Sequence, residues 1–117
     1  MDNNTLDLKD VLERVQDDWE LLMELLDIFS EDYTEKREVL NELIKENNFE
    51  EIRNIAHSIK GAAGNISAKA MHATSERIER LAEERNLVTV KELLPELDKQ
   101  FVQLQACIKE LKTKGKR

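Results

Sequence analysis

The chain has few residues that turn, crosslink or stiffen a backbone. Its 117 residues include three glycines, one proline, one cysteine and only 4% aromatic residues. Because glycine and proline dominate tight turns, their scarcity argues against a sheet with many hairpins and predicts an all-α fold. The single cysteine, Cys107, has no second cysteine with which to form an internal disulfide. Its apolar neighbours at helical spacing predict that it is a small core residue.

The chain has no excess of positive charge and no long apolar run. The 25 acidic residues outnumber the 18 basic ones, which gives a formal net charge of −7. Proteins that bind nucleic acids usually present a basic surface, so we expect no nucleic-acid partner. No apolar run is long enough to span a bilayer, and residues 1–5 lack the features of a signal peptide, so we expect no membrane insertion and a cytoplasmic location. The C-terminal cations are interpreted as a helix end followed by a frayed tail: Lys112, Lys114, Lys116 and Arg117.

Residues that favour helices fill most of the chain. The length suits one domain, residues 1–117, that is large enough to bury a core. Apolar residues at helical spacing predict a short helix over residues 7–15 and longer helices over residues 18–47, 50–64, 68–85 and 89–112. Short connections make neighbouring helices antiparallel. The expected architecture is therefore an antiparallel up-and-down four-helix bundle with a short additional N-terminal helix.

Individual polar residues predict where these helices begin and end. Thr5 or Asp7 is the expected N-cap of the first helix. Gly64 and Asn65 are expected to form a left-handed turn at the end of the third helix, which leaves Ser67 as the N-cap of the fourth. Four charged residues of the fourth helix are expected to face solvent: Glu76, Arg77, Glu79 and Arg80.

The third helix carries the stretch in which reactive chemistry is expected. At about 100° per residue, one face of this helix is an apolar stripe and the opposite face is polar. The apolar stripe predicted to be buried consists of Ile52, Ile55, Ile59, Ala62 and Ile66. The opposite face contains Glu50, Arg53, His57, Lys60, Gly61 and Gly64. An exposed imidazole therefore lies beside two cations and two residues without side chains, which is a plausible setting for a phosphoryl group.

Each of these residues has a role in that hypothesis. An exposed imidazole, with a reference pKa of about 6.5, is largely neutral near pH 7 and can attack phosphorus without a separate base. Lys60 and Arg53 would attract phosphoryl oxygens. Gly61 and Gly64 would let an incoming partner approach closely, and two glycines in a helix suggest a packing or functional reason.

Simpler interpretations stand beside that hypothesis. Lys60 and Arg53 could be solvated cations paired with Glu46 or Glu50, and Gly64 could be a helix C-cap. The second histidine, His72, has no lysine and glycine behind it and is interpreted as a surface or partly buried residue. We expect no metal site, because the histidines and Cys107 do not stand at ligand spacing. No glycine-rich phosphate loop is present, so we expect no autonomous kinase activity.

The segment Ala56-His57-Ser58-Ile59-Lys60-Gly61-Ala62-Ala63-Gly64 resembles the motif of the histidine-containing phosphotransfer (HPt) domain of two-component phosphorelays. The resemblance extends over nearly the whole chain. It implies that His57 is the phosphoacceptor, through its outward Nε2, and passes the group between the aspartates of two receiver domains. It also implies a monomer without a cofactor of its own, because Mg²⁺ and the accepting aspartate belong to the receiver. The implied partners are response-regulator receiver domains and a sensor or hybrid histidine kinase.

Two other functions are compatible with the same sequence. One is a helical scaffold or adaptor that binds partners through this face without being phosphorylated. The other is the N-terminal phosphoacceptor module of a chemotaxis-type kinase, which resembles the same domain. The occurrence together of His57, Lys60, Gly61 and Gly64 favours phosphotransfer over the scaffold.

Overall fold

The computed structural model describes residues 3–114 and is all-helical over that range. It has five helices, α1 (Leu8–Arg14), α2 (Trp19–Lys45), α3 (Phe49–Asn65), α4 (Lys69–Glu83) and α5 (Leu87–Lys114). Each helix bound lies no more than two residues from the one predicted. Two cations of the predicted basic tail, Lys116 and Arg117, lie outside the described residues.

Helices α1 to α4 end in the same way, in a Schellman motif without glycine. In each motif one residue adopts a left-handed backbone conformation with φ between 54° and 60°, namely Gln16, Asn47, Ser67 and Arg85 in chain order. After α1, the next residue, Asp17, is also left-handed, with φ 62°. At the end of α3, the Ser67 N–H donates to the Gly64 carbonyl and the Ala68 N–H donates to the Ala63 carbonyl. Gly64 itself is helical, so the predicted left-handed turn at Gly64 and Asn65 is wrong.

Contacts with α1 account for the conformation of Ser67. The Ser67 hydroxyl donates to Asp10 Oδ2 at 2.5 Å, and its carbonyl accepts from the Asp7 N–H at 3.0 Å. These bonds offset a left-handed conformation that costs a non-glycine residue about 1–2 kcal/mol. The N-cap of α4 is Ala68, which makes no side-chain capping bond, so the predicted N-cap role of Ser67 is also wrong. Asp7 caps α1 as one of the two residues predicted.

The core is formed by apolar stripes from all five helices. Helix α3 packs most extensively against α4, and further contacts join α2 to α3, α4 to α5 and α5 back to α2. The ion pairs Lys112–Asp27 and Arg37–Asp98 show that α2 and α5 run antiparallel. The body these contacts form measures 48 × 20 × 20 Å. The largest fully buried side chains are Leu6, Leu22, Leu26, Leu40, Ile52, Ile59, Met71, Ile78, Leu97, Leu104, Val11 and Val90.

The buried face of α3 is rotated slightly from the predicted stripe. Ile52, Ile59 and Ile66 are buried as predicted, whereas Ile55 and Ala62 are only partly buried. Ala56 and Ala63 are buried in their place. Because α3 packs against both α2 and α4, its buried face is set by two neighbours and extends to these alanines. His57 directly follows one of the buried alanines and therefore lies at the edge of a packed helix face.

Aromatic residues join α2 to α5 away from this face. The ring of Tyr33 lies 4.4 Å from that of Phe101, and burial raises the pKa of the Tyr33 hydroxyl. Helix α5 continues through Pro95. Cys107 is half-buried, so its predicted place in the core is wrong. Across residues 3–114, each helix falls short of the length or the apolar character needed to cross a bilayer.

Candidate functional site

The site is centred on the side chain of His57, which projects from the middle of α3 and is 63% exposed. Its Nδ1 lies 2.9 Å from Glu79 Oε2 on α4. Because an ionised carboxylate only accepts hydrogen bonds, Nδ1 carries the proton and donates it. The neutral imidazole then has its lone pair on Nε2. The contact with Glu79 therefore selects the tautomer in which the nucleophilic nitrogen is Nε2.

Lys60 binds the other oxygen of the same carboxylate. Its Nζ lies 2.8 Å from Glu79 Oε1, so Glu79 bridges the imidazole and the ammonium. The ammonium of Lys60, followed by the hydrogen bond from His57, holds the pKa of the Glu79 carboxyl below its usual value. Glu79 is only 9% exposed, which makes it a nearly buried anion that accepts a hydrogen bond from His57 and forms an ion pair with Lys60. A buried carboxylate without partners would be strongly unfavourable. The contacts with Lys60 and His57 offset that cost for Glu79.

The two glycines of the motif have different surroundings. A methyl group added to Gly61 would meet no atom within 4 Å. One added to Gly64 would lie 3.2 Å from His72 Nδ1 and 3.5 Å from His72 Cε1. The structure thus leaves open space above Gly61, whereas the space above Gly64 is already filled by a side chain from α4.

Arg53 lies one helical turn before His57 and is half-buried. Its guanidinium Nη2 donates to Asn54 Oδ1 at 2.8 Å. Asn54 in turn donates to Glu51 Oε1 at 3.1 Å, within the first turns of α3. This hydrogen bond of Arg53 therefore lies outside the cluster formed by His57, Glu79 and Lys60.

Glu79 is the residue of this site whose predicted exposure is wrong. The sequence pattern predicts that it faces solvent, but the structure buries it between α3 and α4. On α4 it follows the buried Ile78 directly, at the border of the apolar stripe, where periodicity does not separate buried from exposed residues. The chain offers 25 acidic residues as partners for a lysine and a histidine, and only helix packing selects this one.

Within residues 3–114, no three His, Cys, Asp or Glu side chains stand close enough together to hold an ion. The structure is thus an all-helical scaffold that exposes one imidazole, with a carboxylate and a lysine beside it.

The chain belongs to the Hpt domain family. The model of that family, described as the Hpt domain, matches residues 24–114, which is well over half of the sequence. Hpt domains are phosphotransfer carriers. The match includes His57, Lys60, Glu79 and both glycines of the motif, and leaves out α1.

A solved structure with the same fold is that of histidine-containing phosphotransfer protein B (HptB) from Pseudomonas aeruginosa PAO1. The two chains are 22% identical and superpose with a TM-score of 0.80 over 92% of this chain and 90% of that one. No curated protein sequence matches the chain. The structural similarity therefore establishes the fold independently of close sequence relatives.

The bridged carboxylate predicts a pH-dependent contribution to stability. Because the pKa of Glu79 is lowered from 4.5 in the folded chain, its contribution is complete above pH 4.5 and is lost as the pH falls through the folded-state value. We expect Glu79→Gln to lower the free energy of unfolding near neutral pH, and this deficit to shrink below pH 4.5. Urea titrations of both proteins at a series of pH values measure it.

Glu76→Gln is the matched control for that titration. Glu76 lies on the same helix and its carboxylate pairs with Arg80 at the surface. Exposed pairs of this kind contribute little, so we expect a small difference from the parent protein at every pH. A deficit of Glu79→Gln that stayed constant into strong acid would show that the ionised carboxylate does not stabilise the fold.

Proposed function

We propose that this chain is an intermediate of a phosphorelay, in which His57 accepts a phosphoryl group from the aspartyl phosphate of one receiver domain and passes it to the aspartate of another. The observation that carries the proposal is the hydrogen bond between His57 Nδ1 and Glu79, which leaves Nε2 of an exposed ring as the nucleophile. Membership of the Hpt family supports a role in phosphotransfer. The proposal adds that the phosphoryl group moves from one receiver domain to another through His57.

The proposed step conserves atoms and electrons. The Nε2 lone pair of His57 forms a bond to phosphorus as the bond from phosphorus to the receiver's aspartyl oxygen breaks. That carboxylate leaves with the electron pair. The imidazole keeps its proton on Nδ1, so the phosphorylated ring carries positive charge, which the Glu79 carboxylate 2.9 Å away stabilises. In the second transfer, a carboxylate oxygen of the next receiver attacks phosphorus and Nε2 recovers its lone pair.

Cations near His57 support the phosphorylated state in this proposal. Lys60 is held beside the ring by Glu79, and its ammonium would attract the phosphoryl oxygens as a point charge. Arg53, one turn earlier, would add a second cation at the edge of the site. The Mg²⁺ that such transfers use would be bound by the receiver domain, which also supplies the accepting aspartate.

The architecture that supports this role is an antiparallel four-helix bundle of α2 to α5 with α1 attached to one end. The contacts from α2 to α3, α4, α5 and back to α2 support that description. We further propose that the chain acts as a monomer in the cytoplasm, without kinase activity, and receives its phosphoryl group from a sensor or hybrid histidine kinase through a receiver domain.

A relay assay tests the proposal. Receiver domains phosphorylated with a small-molecule donor are mixed with the chain, and the isolated product is then given to a second, unphosphorylated receiver. We expect an acid-labile, alkali-stable label on the chain that disappears as the second receiver gains it. A folded chain that takes no label from any receiver, yet still binds receivers, would instead favour a scaffold.

Gly61→Ala tests whether close approach to His57 limits the transfer. The added methyl meets no atom of the chain, and alanine is favoured over glycine inside a helix by about 0.8–1.0 kcal/mol, so we expect a more stable protein. The methyl would face the incoming receiver, and we expect transfer to slow by about tenfold, since a small displacement of reacting groups is costly. Thermal unfolding and transfer rates measure the two effects. A stabilised variant with an unchanged rate would show that the receiver does not approach over Gly61.

A further inference from the structure

His72 is a second imidazole that binds the backbone of the proposed site. Its Nδ1 lies 3.0 Å from the carbonyl oxygen of Lys60. A carbonyl only accepts hydrogen bonds, so Nδ1 carries the proton and donates it. Lys60 is therefore held at both ends by α4, since Glu79 binds its ammonium and His72 binds its carbonyl.

The contacts made by Glu79 and by His72 lie at two points along the antiparallel helices α3 and α4. His72 and Glu79 are seven residues apart on α4, as His57 and Gly64 are on α3, and seven residues correspond to two helical turns on one face. Glu79 faces His57, and His72 faces Gly64. Contacts at two points two turns apart constrain both the register and the rotation of α4 relative to α3, in addition to the packing of the core. The register determines whether the Glu79 carboxylate reaches His57 Nδ1.

Gly64 is the position that makes room for His72. A methyl group there would lie 3.2 Å from Nδ1, the atom that donates to Lys60, so the imidazole would have to shift. The corresponding methyl at Gly61 meets nothing. The sequence hypothesis gave both glycines the same role, which was to let a partner approach.

We propose that Gly64 serves His72 of its own chain, and that His72 is a positioning residue which, through Lys60 and the register of α4, holds Glu79 against His57. This proposal rests on the proposed phosphotransfer function. It assigns the two glycines separate tasks, with Gly61 open to the partner and Gly64 closed over by α4.

A double-mutant cycle between Gly64→Ala and His72→Ala tests it. His72→Ala should slow transfer from a phosphorylated receiver by about fivefold, the size expected for loss of one hydrogen bond. Gly64→Ala, which moves the imidazole by a few tenths of an ångström, should slow it by a smaller factor. The double variant should be no slower than His72→Ala, because the methyl then displaces nothing. Alanine's greater helix propensity enters both backgrounds equally and cancels in the cycle. If Gly64→Ala slows transfer equally with and without His72, the glycine serves the partner and the proposal is wrong.

Two further variants separate positioning from a general loss of stability. His72→Asn keeps a side-chain N–H donor and should recover most of the rate lost in His72→Ala. Gly61→Ala, the matched control, should have the same effect with either residue at position 72. If His72→Asn is as slow as His72→Ala despite equal thermal stability, a positioning role for the donor is refuted.

Nitrogen NMR of the imidazoles provides a readout that does not require phosphotransfer. In the parent protein, we expect both histidines to be protonated at Nδ1 when neutral. His72→Ala and Gly64→Ala should each shift the His57 ring nitrogens, whereas adding Gly64→Ala to His72→Ala should not. If the parent chain accepts no phosphoryl group, the proposed function fails, and these spectra still test the coupling of His72 to His57. Unchanged His57 signals in His72→Ala would overturn the proposal.

Discussion

His57→Gln is expected to abolish phosphoryl acceptance while leaving the fold intact. The side chain is 63% exposed and its bond to Glu79 is made at the surface edge of the α3 and α4 pair, so little packing is lost. Glutamine is similar in size and can donate to the same carboxylate, but its amide is not a nucleophile towards phosphorus. We expect no acid-labile label from any phosphorylated receiver, and a change in unfolding free energy of less than about 1 kcal/mol.

The second histidine makes this experiment selective. The chain has two histidines, so His72→Asn removes the other imidazole and serves as the control. We expect His72→Asn to reach the same final stoichiometry of label as the parent protein. An acid-labile label that remained on folded His57→Gln would place the phosphoryl group elsewhere and refute the assignment of His57.

Glu79→Ala is expected to have the second largest effect on transfer. It removes the acceptor that selects the tautomer of His57, and the charge that stabilises the phosphorylated ring. A hydrogen bond to a charged group contributes about 1.5–3 kcal/mol. If this contribution is realised in the transition state, the transfer rate should fall by about ten- to hundredfold. Rates of transfer from one phosphorylated receiver, measured in a rapid-mixing instrument, give the ratio directly.

Two variants define what that loss means. Glu79→Gln retains an oxygen that can accept from His57 Nδ1 but has no charge, so an intermediate rate is expected. Glu76→Ala, on the same helix, removes a carboxylate that pairs with Arg80 at the surface, and its rate should match the parent protein. If Glu79→Ala transferred as fast as Glu76→Ala, the carboxylate would be a purely structural partner of Lys60.

The sequence was sufficient to predict the helices because helical periodicity is a local property. Apolar residues that recur every three or four positions mark one side of a helix wherever the helix finally packs. From this pattern, the bounds of α1 to α5 were predicted to within two residues, and His57 was predicted to be exposed. Helix ends were less certain, because the left-handed residue after α3 is Ser67, which is tied to α1 by the bond to Asp10.

The partners of His57 could not be predicted in the same way. Glu79 lies 22 residues further along the chain and on another helix, beside other glutamates that periodicity treats alike. Which of them reaches His57 depends on the rotation and register of α4 against α3. These are set by how the side chains of both helices interlock within the whole core. The same register places His72 over Gly64, so the sequence motif alone gave two glycines one role where the structure gives them different neighbours.

By itself the sequence determined the all-helical fold, the helix that carries His57 and the face on which this residue lies, because these follow from the rotation per residue along one helix. The tertiary structure decided which carboxylate binds the His57 imidazole, which side chain binds the Lys60 carbonyl and which side chain fills the space above Gly64. Those contacts join residues of different helices, and their distances are fixed only when the helices pack together.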